Sequence, residues 1–106
     1  MKSGKILVVD DNKGIRDALK ILLGGCFTQV LTLSSPTSLT STVEQMMPDL
    51  ILLDMNFKAD INSGNEGLFW LSEIKKRWPE MPVVLFTAYA DISLAVEGMK
   101  RGAADF

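Results

Sequence analysis

Histidine is absent from this sequence. With it go the commonest general base, the commonest metal ligand, and any Ser-His or Cys-His nucleophile pair. Cys26 is the single cysteine, which excludes an internal disulfide and fits a reducing compartment. Its apolar neighbours suggest a small buried hydrophobe. No apolar run is long enough to span a bilayer, and no leader peptide opens the chain, so the expectation is a cytoplasmic domain with no membrane contact. Like charges form no runs, and the formal net charge is −2. That balance argues against direct nucleic-acid contact, which wants a basic patch. There are no repeats and no low-complexity segments. What remains is 106 residues, 47% of them hydrophobic, enough for one domain (1–106) with a real core.

Short apolar runs alternate with segments of helical period. Ile6 to Val9 reads as a strand buried on both faces. Ile15, Leu19, Leu22 and Leu23 then repeat at helical spacing, with Arg16, Asp17 and Lys20 on the other side, until Gly24 and Gly25 stop the helix. A weaker strand spans Gln29 to Leu33. Ser35-Pro36 caps a helix carrying Leu39, Val43 and Met46 inward. "LILLD" (50–54) is a second buried strand, and "VVLFTA" (83–88) a third. Between them lie a polar loop and a helix near 68–78 with Leu71 and Ile74 on its apolar side. Asp91 is placed to cap a last helix that Gly102 ends. Such alternation predicts βαβ units and a parallel sheet with helices on both faces.

In that architecture ligands bind at the carboxyl ends of the strands, where Asp10, Asp11, Asp54 and Thr87 fall. Neighbouring strands lie ~4.8 Å apart, so acids ending adjacent strands can share one ion. Three carboxylates without His or Cys form a hard oxygen site suited to Mg²⁺. A cation there relieves the Asp10–Asp11 repulsion and makes an Asp carboxylate a plausible phosphoryl acceptor, with the Thr87 hydroxyl at the same rim. Blander readings stand beside this one. Asp10 and Asp11 could simply cap the first helix, and Thr87 could be a β-favouring packing residue. Trp70, Trp78 and the methionines read as core or helix surface. Gly64 and Gly67 lack the Lys-Ser/Thr of a phosphate loop.

"ILVVDDNKGIRDALKILL", "PDLILLDMN" and "MPVVLFTAYADISLAVEGMKRGAADF", in that order, resemble the receiver domain of bacterial two-component response regulators. The helical portion and "TAYAD" look most like receivers attached to ATPase-type transcription activators. The resemblance implies a flavodoxin-like (βα)5 fold with sheet order 2-1-3-4-5, and phosphorylation of Asp54 by a sensor histidine kinase. It implies Asp11 as direct Mg²⁺ ligand, Asp10 as an acid acting through water, and Asn56 offering its backbone carbonyl to the metal. Thr87 would be the switch hydroxyl, with the Ala88 backbone N–H beside it. The output would pass to another domain, such as a DNA-binding one, and any catalysis would be self-phosphorylation and slow self-hydrolysis.

Two departures from the family pattern stand out. Phe57 and a long "KADINSGNEG" loop replace the usual proline and short turn after the acceptor, and the expectation is an ordered variation. The chain also stops at Phe106, before the family's fifth strand, its lysine and its fifth helix. That predicts a receiver incomplete at its C-terminus, with Val83 to Phe86 left as an open edge inviting self-association. Two other functions remain open. One is an aspartate-nucleophile phosphohydrolase, which would want an acid where Asn56 stands. The other is a pseudo-receiver that keeps the fold as an interaction module without phosphorylation.

Overall fold

A computed structural model describes residues 3–54, 65–86 and 92–105 of the chain. The first apolar run forms β1 (Lys5–Val9), and Asn12 then caps α1 (Lys13–Leu23), its Oδ1 accepting from the Ile15 N–H at 3.0 Å. Past Gly24 and Gly25 the chain enters β2 (Gln29–Leu33). Ser35 caps a short 3₁₀ turn, Pro36–Ser38, which leads into α2 (Leu39–Met46). Next come β3 (Leu50–Asp54), α3 (Asn65–Arg77), β4 (Val83–Phe86) and α4 (Ile92–Lys100). Gly102, at φ 104°, closes α4 in a conformation that costs glycine little and other residues more.

The four strands pair in parallel in the order β2-β1-β3-β4. The chain crosses from β1 to β2 in one direction, then returns past β1 to β3 and on to β4. With right-handed crossovers, that reversal places α1 on one face of the sheet and α2 and α3 on the other. The α2–α3 face is the better covered. Leu7, Val9, Ile51, Leu53, Val83 and Leu85 point into it and meet Leu39 and Val43 of α2 and Leu71 and Ile74 of α3, all fully buried. Trp70 and Trp78 pack against this cluster from its margin.

The other face is thinner. Ile6 and Val8 are buried, but Leu50, Leu52, Val84 and Phe86 are only half-buried. The expected apolar stripe of α1 exists in sequence, yet no residue of α1 is buried, and Leu22 is 70% exposed. A helical period names a face without supplying a partner to cover it. Cys26 is exposed, contrary to the buried hydrophobe expected of it. It sits in the turn after α1, with its N–H donated to Leu23 O.

The fourth strand is also less open than expected. Ala104 donates its N–H to Val83 O at 2.7 Å, and Leu85 donates to Asp105 O at 3.0 Å. Residues 104–105 thus begin a further parallel pairing along the outer edge of β4. The Val83 carbonyl and the Leu85 N–H are satisfied there, so that part of the edge is less available as a template for another chain.

Candidate functional site

Register decides what meets at the carboxyl end of the sheet. Val9 pairs with Leu33 on one side and Leu53 on the other. One residue further on, Asp10 donates its N–H to Leu33 O at 3.0 Å and stands beside Asp54, the last residue of β3. Asp10 is 2% exposed and Asp54 8%. Asp11, in the turn between β1 and α1, is exposed. Carboxylate oxygens of all three lie within 4.8 Å of one another.

The turn that carries two of these acids is tied from several sides. The Asp10 carboxylate accepts from the Asn12 N–H at 2.8 Å, while the Asn12 carbonyl accepts from the Arg16 N–H at 3.0 Å. Arg16 Nη1 turns back to donate to the Asp10 carbonyl at 2.9 Å. Burial pushes the Asp10 carboxyl above its ordinary range, and the charge and hydrogen bonding of Asp11 push the same way. The Asn12 N–H and the Arg16 guanidinium pull it back without cancelling the rise.

Three carboxylates this close repel one another unless a proton or a cation intervenes. The donor set is all oxygen, the chemistry of a hard divalent ion. Two oxygens sharing one Mg²⁺ at ~2.1 Å each stand at most ~4.2 Å apart. The observed limit of 4.8 Å is a few tenths of an ångström wider, within the reach of carboxylate rotation. The residues present therefore fit such an ion.

A sequence model of the family described as "Response regulator receiver domain" matches residues 6–106, nearly the whole chain. This chain belongs to the response regulator receiver family. It is 32% identical over 106 residues to the DNA-binding transcriptional regulator NtrC of Salmonella typhimurium, a match covering 100% of this chain and 22% of that protein. It is 36% identical over 101 residues to the transcriptional regulatory protein ZraR of Escherichia coli K12, covering 95% of this chain and 22% of ZraR. The receiver thus spans about a fifth of the length of these curated relatives. Among solved structures, the N-terminal signal receiver domain of a response regulator from Bacteroides fragilis superposes with a TM-score of 0.85 at 54% identity, covering 99% of this chain and 83% of that one.

Sheet order β2-β1-β3-β4 is the flavodoxin-like arrangement expected of a receiver. The structure brings together three of the residues singled out in sequence, Asp10, Asp11 and Asp54. Asn56, Thr87 and Ala88 lie outside the described residues, as do the helix cap expected at Asp91 and residues 58–64 of the "KADINSGNEG" loop, whose last three residues open α3. Two residues that sequence reasoning passed over belong to the site's surroundings: Asn12 and Arg16. Arg16 reads in sequence as one charge on the solvated face of α1. An Asn cap fixes the phase of that helix, however, and helical side chains lean toward the N-terminus. The fourth helical residue is then aimed over the turn that holds the acids. A separate, mostly apolar depression of about 400 Å³, lined by Met47, Trp78 and Met81 among others, opens where the chain enters β3 and β4. It is at the opposite end of these strands from the acids.

Proposed function

We propose that residues 1–106 act as one phosphoaccepting receiver, taking a phosphoryl group on Asp54 from a phosphohistidine of a partner kinase. The observation that carries this reading is the meeting of Asp10, Asp11 and Asp54 carboxylate oxygens within 4.8 Å. Asp10, Asp11 and Asp54 would hold Mg²⁺, joined by the Asn56 carbonyl on the strength of the family resemblance. The ion, when bound, supplies positive charge against the oxygens of the transferring group.

Asp54 acts as nucleophile: a carboxylate oxygen forms the new bond to phosphorus while the bond from phosphorus to the donor nitrogen breaks. Asp54 suits this task because β3 fixes its backbone and its flanking core residue Leu53 is fully buried. Asp10, tethered by the Asn12 N–H, is held ready beside it. Thr87 and the Ala88 N–H are assigned by resemblance as the groups that answer the new phosphoryl oxygens. The resulting shift of the surface around α4 would pass to an output domain and regulate transcription, as the names of the NtrC and ZraR relatives suggest.

Intact mass after incubation with acetyl phosphate tests the reading, with and without Mg²⁺ and beside Asp54→Asn. One phosphoryl group should be gained, dependent on Mg²⁺ and absent from the variant. A chain that gains no mass and binds no Mg²⁺ would instead be a pseudo-receiver. Turnover of a small phosphoester would mark a phosphohydrolase.

A further inference from the structure

We infer that Arg16 is a positioning residue for the acidic site: by holding the Asp10 carbonyl it sets the turn from which Asp10 and Asp11 face Asp54. The inference rests on the metal reading above and adds a residue that neither the family match nor the three acids assign.

Three observations converge on it. Asp10 lies one residue past the last paired position of β1, so its carbonyl needs a partner from outside the ladder. Arg16 supplies one, with Nη1 at 2.9 Å. The Arg16 backbone is itself anchored, its N–H donated to Asn12 O at 3.0 Å, while the Asn12 N–H holds the Asp10 carboxylate at 2.8 Å. Residues 10, 12 and 16 therefore form a closed loop of hydrogen bonds around Asp11. Asp11, by contrast, is exposed, and its direction depends on the backbone either side of it. Releasing the Asp10 carbonyl frees that peptide to rotate, and the acid pair loses its aim at Asp54. Groups that orient ligands in this way commonly govern metal affinity by ~10–100-fold when removed.

A purely electrostatic role predicts the opposite sign. A guanidinium near a cation site repels the cation, so deleting it would tighten binding. The two accounts are separated by titrating Mg²⁺ alone into the 106-residue chain by calorimetry, for the wild type, Arg16→Gln and Arg16→Lys. Thermal melts run in parallel would establish that each variant is folded at the titration temperature. Positioning predicts that Arg16→Gln binds Mg²⁺ about tenfold more weakly. Arg16→Lys, which keeps a donor and the charge, should recover most of the loss. Binding by Arg16→Gln that is equal to or tighter than the wild type overturns the inference, as does a Lys variant no better than Gln. If Arg16→Gln does not fold, Arg16→Met takes its place: about tenfold weaker Mg²⁺ binding by the folded variant supports positioning, and binding equal to or tighter than the wild type overturns it. Failure of the wild type to bind Mg²⁺ sinks the metal reading and this one with it. Equal binding by all three folded proteins sinks only the role of Arg16.

Discussion

Val9 stands opposite Leu53 in the parallel ladder of β1 and β3, and the acids that follow them, Asp10 and Asp54, are thereby set side by side at the end of the sheet. Nothing in the pairing favours that charge arrangement. Fully buried residues just before each acid (Leu7, Val9, Ile51, Leu53) hold the register, and the carboxylates go where the register sends them. A slip of one residue would turn the whole apolar set of a strand toward the other face, so the core is what enforces the repulsion.

The metal-free protein should accordingly gain stability when one of these charges is removed. Asp10→Asn keeps an oxygen to accept from the Asn12 N–H while deleting a buried charge next to Asp11. The expected gain is about 1 kcal/mol, the order of a single like-charge contact at ~4 Å, read as a rise in Tm. Its pH dependence has a definite sign. Burial raises the Asp10 pKa, so the folded state holds the proton more tightly than the unfolded one. The stabilising contribution of protonated Asp10 is present at low pH and lost as pH rises through the folded value. The advantage of Asp10→Asn should therefore grow with pH across that range and then level off. An advantage that shrinks as pH rises would contradict this assignment.

Mg²⁺ should act in the opposite direction on the same cluster. At a hundred times its dissociation constant a ligand specific for the folded state adds about 2.7 kcal/mol. In a domain of this size that raises Tm by ~10 °C or more. Chelation with EDTA should return the melting curve to its starting point. Asp10→Asn, stabilised without metal, should respond less to Mg²⁺ than the wild type. Equal metal-induced shifts in the two proteins would show that Asp10 takes no part in holding the ion.

At the other end of the molecule, Met47 ends α2 at φ 48°, its N–H donated to Val43 O at 2.8 Å. Left-handed backbone suits glycine and is worst for β-branched residues. Met47→Val should destabilise the fold by about 1–2 kcal/mol, whereas Met47→Gly should fall within ~1 kcal/mol of the wild type. Both follow from chemical denaturation, and neither should alter Mg²⁺ affinity, since Met47 precedes β3 and the acids lie at the carboxyl ends of β1 and β3.

Much of this architecture was legible in the local pattern of residues. A buried run placed β3 and a weaker apolar stretch placed β2 at their observed limits, and helical spacing picked out Leu39, Val43, Met46, Leu71 and Ile74, all of which are buried. Those signals are local, because a strand buried on both faces must be apolar throughout and an amphipathic helix must repeat its apolar residues. The alternation of such elements also implied where the acids would gather. The relations between elements came from packing in three dimensions. Whether the stripe of α1 is covered depends on what packs over it, and Leu22 proves exposed. Cys26 has apolar neighbours in sequence but is exposed in space. The pairing of residues 104–105 along β4 joins segments some twenty residues apart, a link that no local period encodes. Arg16 reads as a solvated charge until the capped helix turns it back onto Asp10, because the direction of a long side chain is set by the backbone it meets in three dimensions.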